Sequence, residues 1–368
     1  MKITILNYTG KEANWGCQAT SNNIIQLFKK YSDDNISFEF IEIEYKGNKF
    51  RKLMNKIRLK LIDFILNNLV IFTNLFKYLY PIEKSNIEKI ENCDMLILNG
   101  EGSLHGYNAE LIKFVQYLAY AKKMGKKTAI INHSLQFDNE KAKRYLSKLY
   151  TYSDINYFRE ELSLNNAKTI GIENIYLVPD AAFLNYEIDT TKVLVDNLPS
   201  RYIASSGSVI IKENNKEYFD LLTKLGKHYD LPIVFIASCE VDKNLKEMVT
   251  EEYGFIYFDE TQLQVAQVQK VIKDSQFFYS GRFHLNIFAA TAGKIFIPFI
   301  SNTVKMQGFL NLIDYPIKEI SIKNIDVDST FNILINFLDN NKDIENYLLD
   351  SSKKHVAELY KKYKELLD

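Results

Sequence analysis

Short apolar runs alternate with longer helical patterns along most of the chain, and this alternation constrains the fold more than any other feature. Strands joined by crossover helices pair in parallel, so the alternation predicts α/β architecture. The strand-like runs are 3–6, 38–43, 95–98, 128–131, 155–158, 175–178, 202–204, 233–236, 255–258, 276–279 and 294–297. The helical patterns lie near 17–30, 108–124, 138–150, 160–168, 214–228, 241–251, 261–273 and 284–292.

The alternation stops and restarts once, which predicts two domains. A polar stretch at 186–200 separates the two series of runs. We predict one Rossmann-like domain over 1–190 and a second over 200–335, followed by C-terminal helices over 336–368. Two doubly wound domains that face each other form a cleft at the carboxyl ends of their sheets, and ligands bind in such clefts.

Charge and cysteine usage exclude several classes of protein. The chain has 46 basic and 46 acidic residues, so no overall field attracts nucleic acid, which we do not expect as a partner. Its cysteines Cys17, Cys93 and Cys239 are far apart and match no metal or disulfide pattern, so we expect no bound metal. With no signal-like N-terminus, this favours a cytoplasmic protein.

The segment 50–80 combines a basic cluster with a strongly apolar stretch. Polar interruptions argue against a membrane-spanning helix, which needs about 20 mostly apolar residues. A basic amphipathic helix on the inner face of the cytoplasmic membrane is one interpretation. A helix pair packed on the first sheet is the other, and the sequence leaves both open.

A strand-to-helix corner at 279–290 carries two side chains suited to an anionic substrate. Helix N-termini offer unpaired N–H groups and positive potential. Arg282 would add a bidentate fork for phosphate or carboxylate, and His284 a proton donor or acceptor near neutral pH. This combination predicts a group-transfer site acting on an anionic donor.

Other polar side chains follow the strands of the first half. Glu101 lies among glycines after one strand and is a candidate base or sugar contact, or an exposed loop residue. His105 is a candidate ligand contact or an ordinary helix-start residue, and His133 a candidate contact or a structural hydrogen bonder. Arg159 is a candidate anion clamp, or the partner of its neighbouring glutamates. Asn14, before the first helix, is a candidate contact or a helix cap.

Fewer candidates follow the strands of the second half. Ser205 and Ser206 could bind a phosphate through hydroxyl and N–H groups or form a plain turn, and Lys305 could approach donor charge or be solvated. Asp180, between the halves, is expected to cap a helix. No Gly-rich dinucleotide fingerprint follows the first strand, so no NAD or FAD is expected.

Together these motifs resemble the polysaccharide pyruvyl transferase family over most of the chain. The matching segments are Asn14-Trp15-Gly16, Asn99-Gly100-Glu101-Gly102-Ser103, Arg159-Glu160-Glu161-Leu162-Ser163, Val178-Pro179-Asp180, Ser280-Gly281-Arg282-Phe283-His284 and 300–309. The family is similar in fold to the two-Rossmann-domain glycosyltransferases of GT-B architecture. Many relatives have a glycine where this chain has Glu101, so the base assignment to Glu101 is our own.

The resemblance implies transfer of the pyruvyl group of phosphoenolpyruvate onto two hydroxyls of a surface-glycan sugar, forming a ketal. The acceptor is a capsule, lipopolysaccharide or teichoic-acid precursor, free or lipid-linked. We expect phosphoenolpyruvate as a co-substrate and no cofactor, with the donor on the second domain and the acceptor on the first.

The predicted roles follow from that reaction. His284 is the acid and Glu101 the base, and the donor contacts are Arg282, Arg159, Lys305, Ser205 and Ser206. The acceptor contacts are Asn14, His105 and His133. The alternative is a GT-B glycosyltransferase that uses a CMP- or UDP-sugar, and a non-catalytic sugar- or membrane-binding scaffold ranks last.

Overall fold

The computed structural model describes residues 1–31, 35–43, 82–102, 104–323, 325–341 and 343–368. The predicted basic and apolar segment 50–80 lies outside these residues. The described chain forms two compact units. The first unit comprises Met1–Thr9 and Phe28–Val178, and the second comprises Gly10–Leu27 and Pro179–Asp368.

The first unit is built on a parallel sheet in the order β2-β1-β3-β4-β5-β6. Its strands are nearly continuous apolar runs, because parallel sheets are covered on both faces. The strands are β1 Lys2–Leu6, β2 Ser37–Ile41, β3 Met95–Glu101, β4 Lys127–His133, β5 Ile155–Phe158 and β6 Ile175–Leu177. The helices are α2 Lys84–Glu91, α3 Ala109–Lys123, α4 Glu140–Tyr150 and α5 Glu161–Thr169.

Helix starts in the first unit follow from local polar side chains. The side chains of Asn108, Asn139 and Glu160 accept hydrogen bonds from backbone N–H groups in the first turns of α3, α4 and α5. Such caps satisfy donors that have no partner within the helix. The caps fix where each helix begins after its strand.

The second unit is built on a parallel sheet in the order β11-β10-β7-β8-β9. Its strands are β7 Ile203–Ser208, β8 Ile233–Ala237, β9 Ile256–Asp259, β10 Phe278–Gly281 and β11 Phe296–Pro298. Most of α1 Trp15–Lys29 belongs to this unit. The other helices are a 3₁₀ helix Ala181–Glu187, α6 Lys216–Tyr229, α7 Glu240–Lys243, a π-helix Met248–Glu252, α8 Val265–Asp274, α9 Phe283–Thr291, α10 Lys305–Leu312, α11 Val327–Asn340 and α12 Ile344–Leu367.

Every predicted strand run overlaps an observed strand. The predicted helix 241–251 is instead two short elements, α7 and the π-helix. The helices α2 and α10 and the 3₁₀ helix were not predicted, because each is short and has no long periodic pattern.

The structure divides the chain at other residues than the sequence-based boundaries 1–190, 200–335 and 336–368. Trp15 is fully buried in the second unit, and its indole N–H donates to the carbonyl oxygen of Leu263 at 3.0 Å. Asn23 on the same helix donates to the carbonyl oxygen of Ala181 at 3.0 Å. These contacts place α1 and the 3₁₀ helix in the second unit, and α11 and α12 belong to it as well.

His133 is a core residue of the first unit, which corrects its predicted contact with an acceptor. Its ring is fully buried, its Nε2 lies 2.8 Å from the hydroxyl oxygen of Tyr150, and it packs against Phe158 with ring centroids 4.4 Å apart. Burial, followed by the nearby charge of Arg159, lowers the pKa of His133 to about 3. The imidazole is therefore neutral at pH 7 and is withdrawn from any ligand.

We predict that protonation of His133 destabilises the first unit in mild acid. The folded-state pKa lies below the unfolded value of about 6.5, so the unfolded chain binds the extra proton and stability falls as pH falls from about 6.5 toward 3. From pH 7 to pH 5 this contribution is about 2 kcal/mol. Urea unfolding at both pH values should show that loss in the wild type and not in His133→Gln. Equal pH dependence of the two proteins would contradict the prediction.

Candidate active site

The turn between β10 and α9 forms the centre of the candidate site. The backbone N–H of Arg282 donates to the hydroxyl of Ser280 at 2.9 Å, and the Asn286 amide donates to the Ser280 carbonyl oxygen at 3.0 Å. These bonds hold the chain where the strand becomes a helix. Arg282 is the N-cap residue of α9, and its own side chain makes no capping hydrogen bond.

The start of α9 is buried, and its N-cap side chain does not cap it. Phe283 and Leu285 in its first turn are buried, and Arg282 itself is 5% exposed. The Arg282 side chain bonds Asp242 and makes no capping hydrogen bond. The N-terminus of an α-helix carries positive potential, which favours a nearby anion.

Arg282 is locked in an ion pair with Asp242 of α7. Its Nε donates to Oδ2 of Asp242 at 2.9 Å, and its Nη2 donates to Oδ1 at 2.6 Å. The Asp242 side chain is 0% exposed. Burial raises the pKa of the Asp242 carboxyl, and the Arg282 guanidinium opposes that rise. The carboxylate in turn raises the pKa of Arg282 against the effect of burial.

This ion pair corrects the expectation of a free guanidinium fork. The guanidinium edge formed by Nε and Nη2, which the sequence analysis assigned to a substrate anion, binds Asp242 instead. Among the described residues, no group forms a hydrogen bond with Nη1 of Arg282. Because Nε and Nη2 bind Asp242, the predicted contact of Arg282 with the donor would be made by Nη1. That contact remains a prediction.

His284 is held between α1 and the start of the 3₁₀ helix. A Cβ atom at Gly16 would lie 2.4 Å from Nδ1 of His284, so only glycine leaves room for the imidazole. Nε2 of His284 lies 3.5 Å from Oδ2 of Asp180 and makes no hydrogen bond in the described structure. The side chain as a whole remains 17% exposed, while Nε2 itself is buried.

The two carboxylate oxygens of Asp180 lie against different neighbours. Oδ1 accepts the backbone N–H of Ala182 at 2.9 Å and caps the 3₁₀ helix, as the sequence predicted. Oδ2 faces His284. A buried carboxylate that is fixed by a helix cap can orient an imidazole and stabilise the charge it carries when protonated.

Ser205 and Ser206 are structural residues, which corrects their predicted role in donor binding. Both are fully buried in β7, where Ser205 donates to the carbonyl oxygen of Val234 at 3.3 Å and Ser206 to that of Ile236 at 2.6 Å. The Ser206 hydroxyl is also a hydrogen-bond partner of the Asp242 carboxylate. Both hydroxyls are therefore engaged inside the second unit.

Lys305 and Asn14 lie near the residues already described. Lys305 starts α10, and its Nζ is 5.8 Å from the centroid of the Phe283 ring. Oδ1 of Asn14 accepts the backbone N–H of Gly16 at 2.9 Å and so caps α1, the structural alternative that the sequence left open. Ligand contacts by Lys305 and Asn14 remain predictions.

Glu101 ends β3 in the first unit and is 5% exposed. Its Oε1 accepts hydrogen bonds from the hydroxyl of Thr9 at 2.8 Å and the amide of Asn99 at 3.1 Å. Its φ of 37° lies in the left-handed region, which non-glycine residues adopt at a cost that structures tolerate mainly at functional sites. This strained, buried carboxylate is consistent with function, and its role as base remains a prediction.

Arg159 and His105 also lie in the first unit. Arg159 is 2% exposed, and its Nε donates to the hydroxyl of Ser134 at 2.9 Å. His105 pairs with Gln136 in an isolated parallel bridge and is partly exposed. Their contacts with substrates remain predictions.

The sequence did not reveal two important neighbours of the candidate site. Asp242 lies 40 residues before Arg282, and Gly16 lies 268 residues before His284. In the sequence analysis Gly16 appears only within the segment Asn14-Trp15-Gly16, and Asp242 does not appear. No local sequence pattern indicates pairs of residues so far apart in the chain.

The described residues contain no metal-type cluster and no helix able to cross a bilayer. Within these residues, no three side chains of His, Cys, Asp or Glu lie together as a metal site would require. None of the helices in the described part of the chain is long and apolar enough to span a membrane.

Solved structures with the same fold are UDP-N-acetylglucosamine 2-epimerases. The enzyme from Methanocaldococcus jannaschii, in complex with UDP-GlcNAc and UDP, has a TM-score of 0.58 and 14% identity, covering 97% of this chain and 99% of that one. A putative epimerase from Listeria monocytogenes has a TM-score of 0.62 and 11% identity, covering 99% and 97%. The Neisseria meningitidis enzyme bound to UDP-GlcNAc has a TM-score of 0.57 and 14% identity, covering 98% and 100%.

These similarities confirm the predicted fold class, an α/β protein with two Rossmann-like domains of the GT-B type. A sequence comparison with curated proteins finds no match. The sequence model of polysaccharide pyruvyl transferases matches residues 14–303, which include the β10–α9 turn, Asp180 and Asp242. The chain therefore belongs to the polysaccharide pyruvyl transferase family and is a transferase.

Proposed function

We propose that this protein transfers the pyruvyl group of phosphoenolpyruvate onto two hydroxyls of a sugar in a surface polysaccharide or its lipid-linked precursor. Family membership supports the modification of a polysaccharide. The observation that carries the donor assignment is the buried start of α9, where Arg282 is the N-cap residue and His284 lies in the first turn. A small metabolite with a phosphate and a carboxylate suits this arrangement because both groups are anionic.

The reaction needs a proton donor at the methylene carbon of phosphoenolpyruvate. Protonation of C3 leaves an oxocarbenium-like centre at C2. A sugar hydroxyl attacks C2 and loses its proton to a base, and the bond from C2 to the phosphate oxygen breaks. A second sugar hydroxyl then bonds C2 and loses its proton, which gives a cyclic ketal and inorganic phosphate.

We assign the C3 proton to His284. Asp180, 3.5 Å from Nε2, faces the ring and is the group that orients it in this proposal. Nη1 of Arg282 and the first N–H groups of α9 bind the anionic groups of the donor. The proposal also assigns the role of base to Glu101. Arg159 and Lys305 are further cations for the donor, and Asn14 and His105 are contacts for the acceptor.

We propose a cytoplasmic enzyme. Cys17, Cys93 and Cys239 are all free thiols, as in proteins of a reducing compartment. Peripheral contact with the membrane through 50–80 remains a prediction, to be tested by flotation with anionic and neutral liposomes.

A glycosyltransferase that uses a nucleotide sugar is the second candidate. It is favoured by the solved structures of the same fold that contain UDP or UDP-GlcNAc. At 14% identity these structures share the fold and carry no evidence on the substrate of this chain. Direct ligand binding separates the two candidates.

We predict that phosphoenolpyruvate raises the melting temperature of the purified protein, because a ligand that binds only the folded state stabilises it. UDP, CMP and GDP at the same millimolar concentration should leave the melting temperature unchanged. A shift with UDP or CMP, and none with phosphoenolpyruvate, would exclude the first candidate in favour of the second.

We predict that His284→Gln lowers pyruvyl transfer by about 10²–10⁴-fold, the usual effect of losing a general acid. Labelled phosphoenolpyruvate and a surface-glycan acceptor provide the assay, and circular dichroism checks the fold. His228→Gln on the exposed face of α6 is the matched control and should retain wild-type turnover. Turnover of His284→Gln near that of the control would remove His284 from the mechanism.

We predict that Gly16→Ala impairs transfer by displacing the His284 ring, since the new methyl group would overlap Nδ1. A displacement on the order of 1 Å can cost about 10²-fold in rate. Gly226→Ala in α6 is the control, because it adds the same methyl group to a buried helix position where the nearest atoms, of Ile233 and Leu231, lie at 3.1 Å. Equal activity of the two variants would show that the contact with Gly16 does not position His284.

A further inference from the structure

We propose that Asp242 is a positioning residue for pyruvyl transfer, and that Gly207 is the backbone position that makes room for it. In this proposal, Asp242 holds the guanidinium of Arg282 so that one edge, Nη1, meets the anionic donor. The inference rests on the proposed function and adds a residue that acts on the donor only through Arg282.

The first observation is how completely Asp242 is fixed. Both of its oxygens accept from Arg282, and Oδ2 also accepts the backbone N–H of Ser238 at 3.0 Å. A Cβ atom on Gly207 would lie 2.0 Å from Oδ1 of Asp242. The carboxylate therefore sits directly against the backbone of β7, in a space that any side chain at 207 would fill.

The second observation is the state of Arg282. Its side chain is 6% exposed, and Nε and Nη2 are both used by Asp242, so the guanidinium plane has one orientation. Nη1 has no hydrogen-bond partner among the described residues. Nη1 is not among the buried side-chain atoms that lack a partner, so this edge keeps some exposure. A ligand oxygen could accept a hydrogen bond from it.

The third observation is the charge of the pair. Asp242 and Arg282 carry opposite charges in contact, so at a distance their fields largely cancel. Arg282 therefore interacts with the donor mainly through a directional hydrogen bond and less through a net positive charge. The orientation of the guanidinium, which Asp242 sets, then determines how well the donor binds.

A positioning role and a simple counter-charge role for Asp242 predict opposite effects of Asp242→Asn. Asp242→Asn removes one negative charge beside Arg282 and leaves the site more positive. If Asp242 acted only as a counter-charge, the variant would bind phosphoenolpyruvate more tightly. If Asp242 positions Arg282, the variant binds more weakly despite the added positive charge.

The experiment measures the dissociation constant of phosphoenolpyruvate by calorimetry and transfer with labelled phosphoenolpyruvate, for Asp242→Asn and Gly207→Ala. Each variant should weaken binding about tenfold or more and lower kcat/KM by about 10–10²-fold, as expected for a misplaced contact. Gly207→Ala keeps every charge and displaces only the carboxylate, so it tests the proposal even if Asp242→Asn folds poorly. Gly226→Ala is the control and should bind as the wild type does.

A double-mutant cycle with Arg282→Gln tests whether Asp242 acts through Arg282. In the Arg282→Gln background, Asp242→Asn should cause no further loss of binding, because the residue that it positions is gone. The double variant also removes both buried charges together and so avoids an unpaired one.

Four results are decisive. Unchanged or tighter binding in Asp242→Asn and Gly207→Ala, or equal losses with and without Arg282, would overturn the inference alone. If the wild type neither binds nor turns over phosphoenolpyruvate, the proposed function fails and the inference fails with it. Weaker binding in both variants that vanishes without Arg282 supports it.

Discussion

The buried ion pair between Arg282 and Asp242 is the interaction on which the candidate site depends. Two charges withdrawn from water are tolerated only when they are paired and hydrogen-bonded, and removing one partner of such a pair typically costs about 3–5 kcal/mol. The pair joins α7 to the turn between β10 and α9. The ion pair therefore fixes the position of the start of α9. It also fixes the orientation of the guanidinium edge that faces away from Asp242.

The rest of the site follows from the start of α9 and what packs beside it. The positive potential of the helix N-terminus lies beside Arg282, its N-cap residue. Gly16 lets the His284 ring lie close against α1, and Asp180 faces its other nitrogen. An acid, a directed cation edge and a helix N-terminus are among the parts that the proposed pyruvyl transfer requires, in a chain whose family modifies polysaccharides.

The sequence predicted the two sheets well because buried parallel strands and their crossover helices leave a periodic signal. The sequence also predicted a strand-to-helix corner at Arg282 and His284, which lie between and within β10 and α9 as expected; their roles remain predictions. Burial of individual polar residues was not predictable: Ser205, Ser206 and His133 all follow predicted strand runs, yet each is fully buried. Local sequence patterns do not indicate whether a polar residue on a strand faces the core or the solvent. They also do not indicate contacts between distant parts of the chain, such as that of Gly16 with His284.

The central claim is that the start of α9 binds the donor anion, and a crystal structure of the protein with phosphoenolpyruvate tests it most directly. The account predicts an oxygen of the phosphate or carboxylate within about 3 Å of a first-turn N–H group of α9. It also predicts a donor oxygen at Nη1 of Arg282, and the methylene carbon beside the His284 ring. Phosphoenolpyruvate bound elsewhere, with the start of α9 empty, would contradict the account.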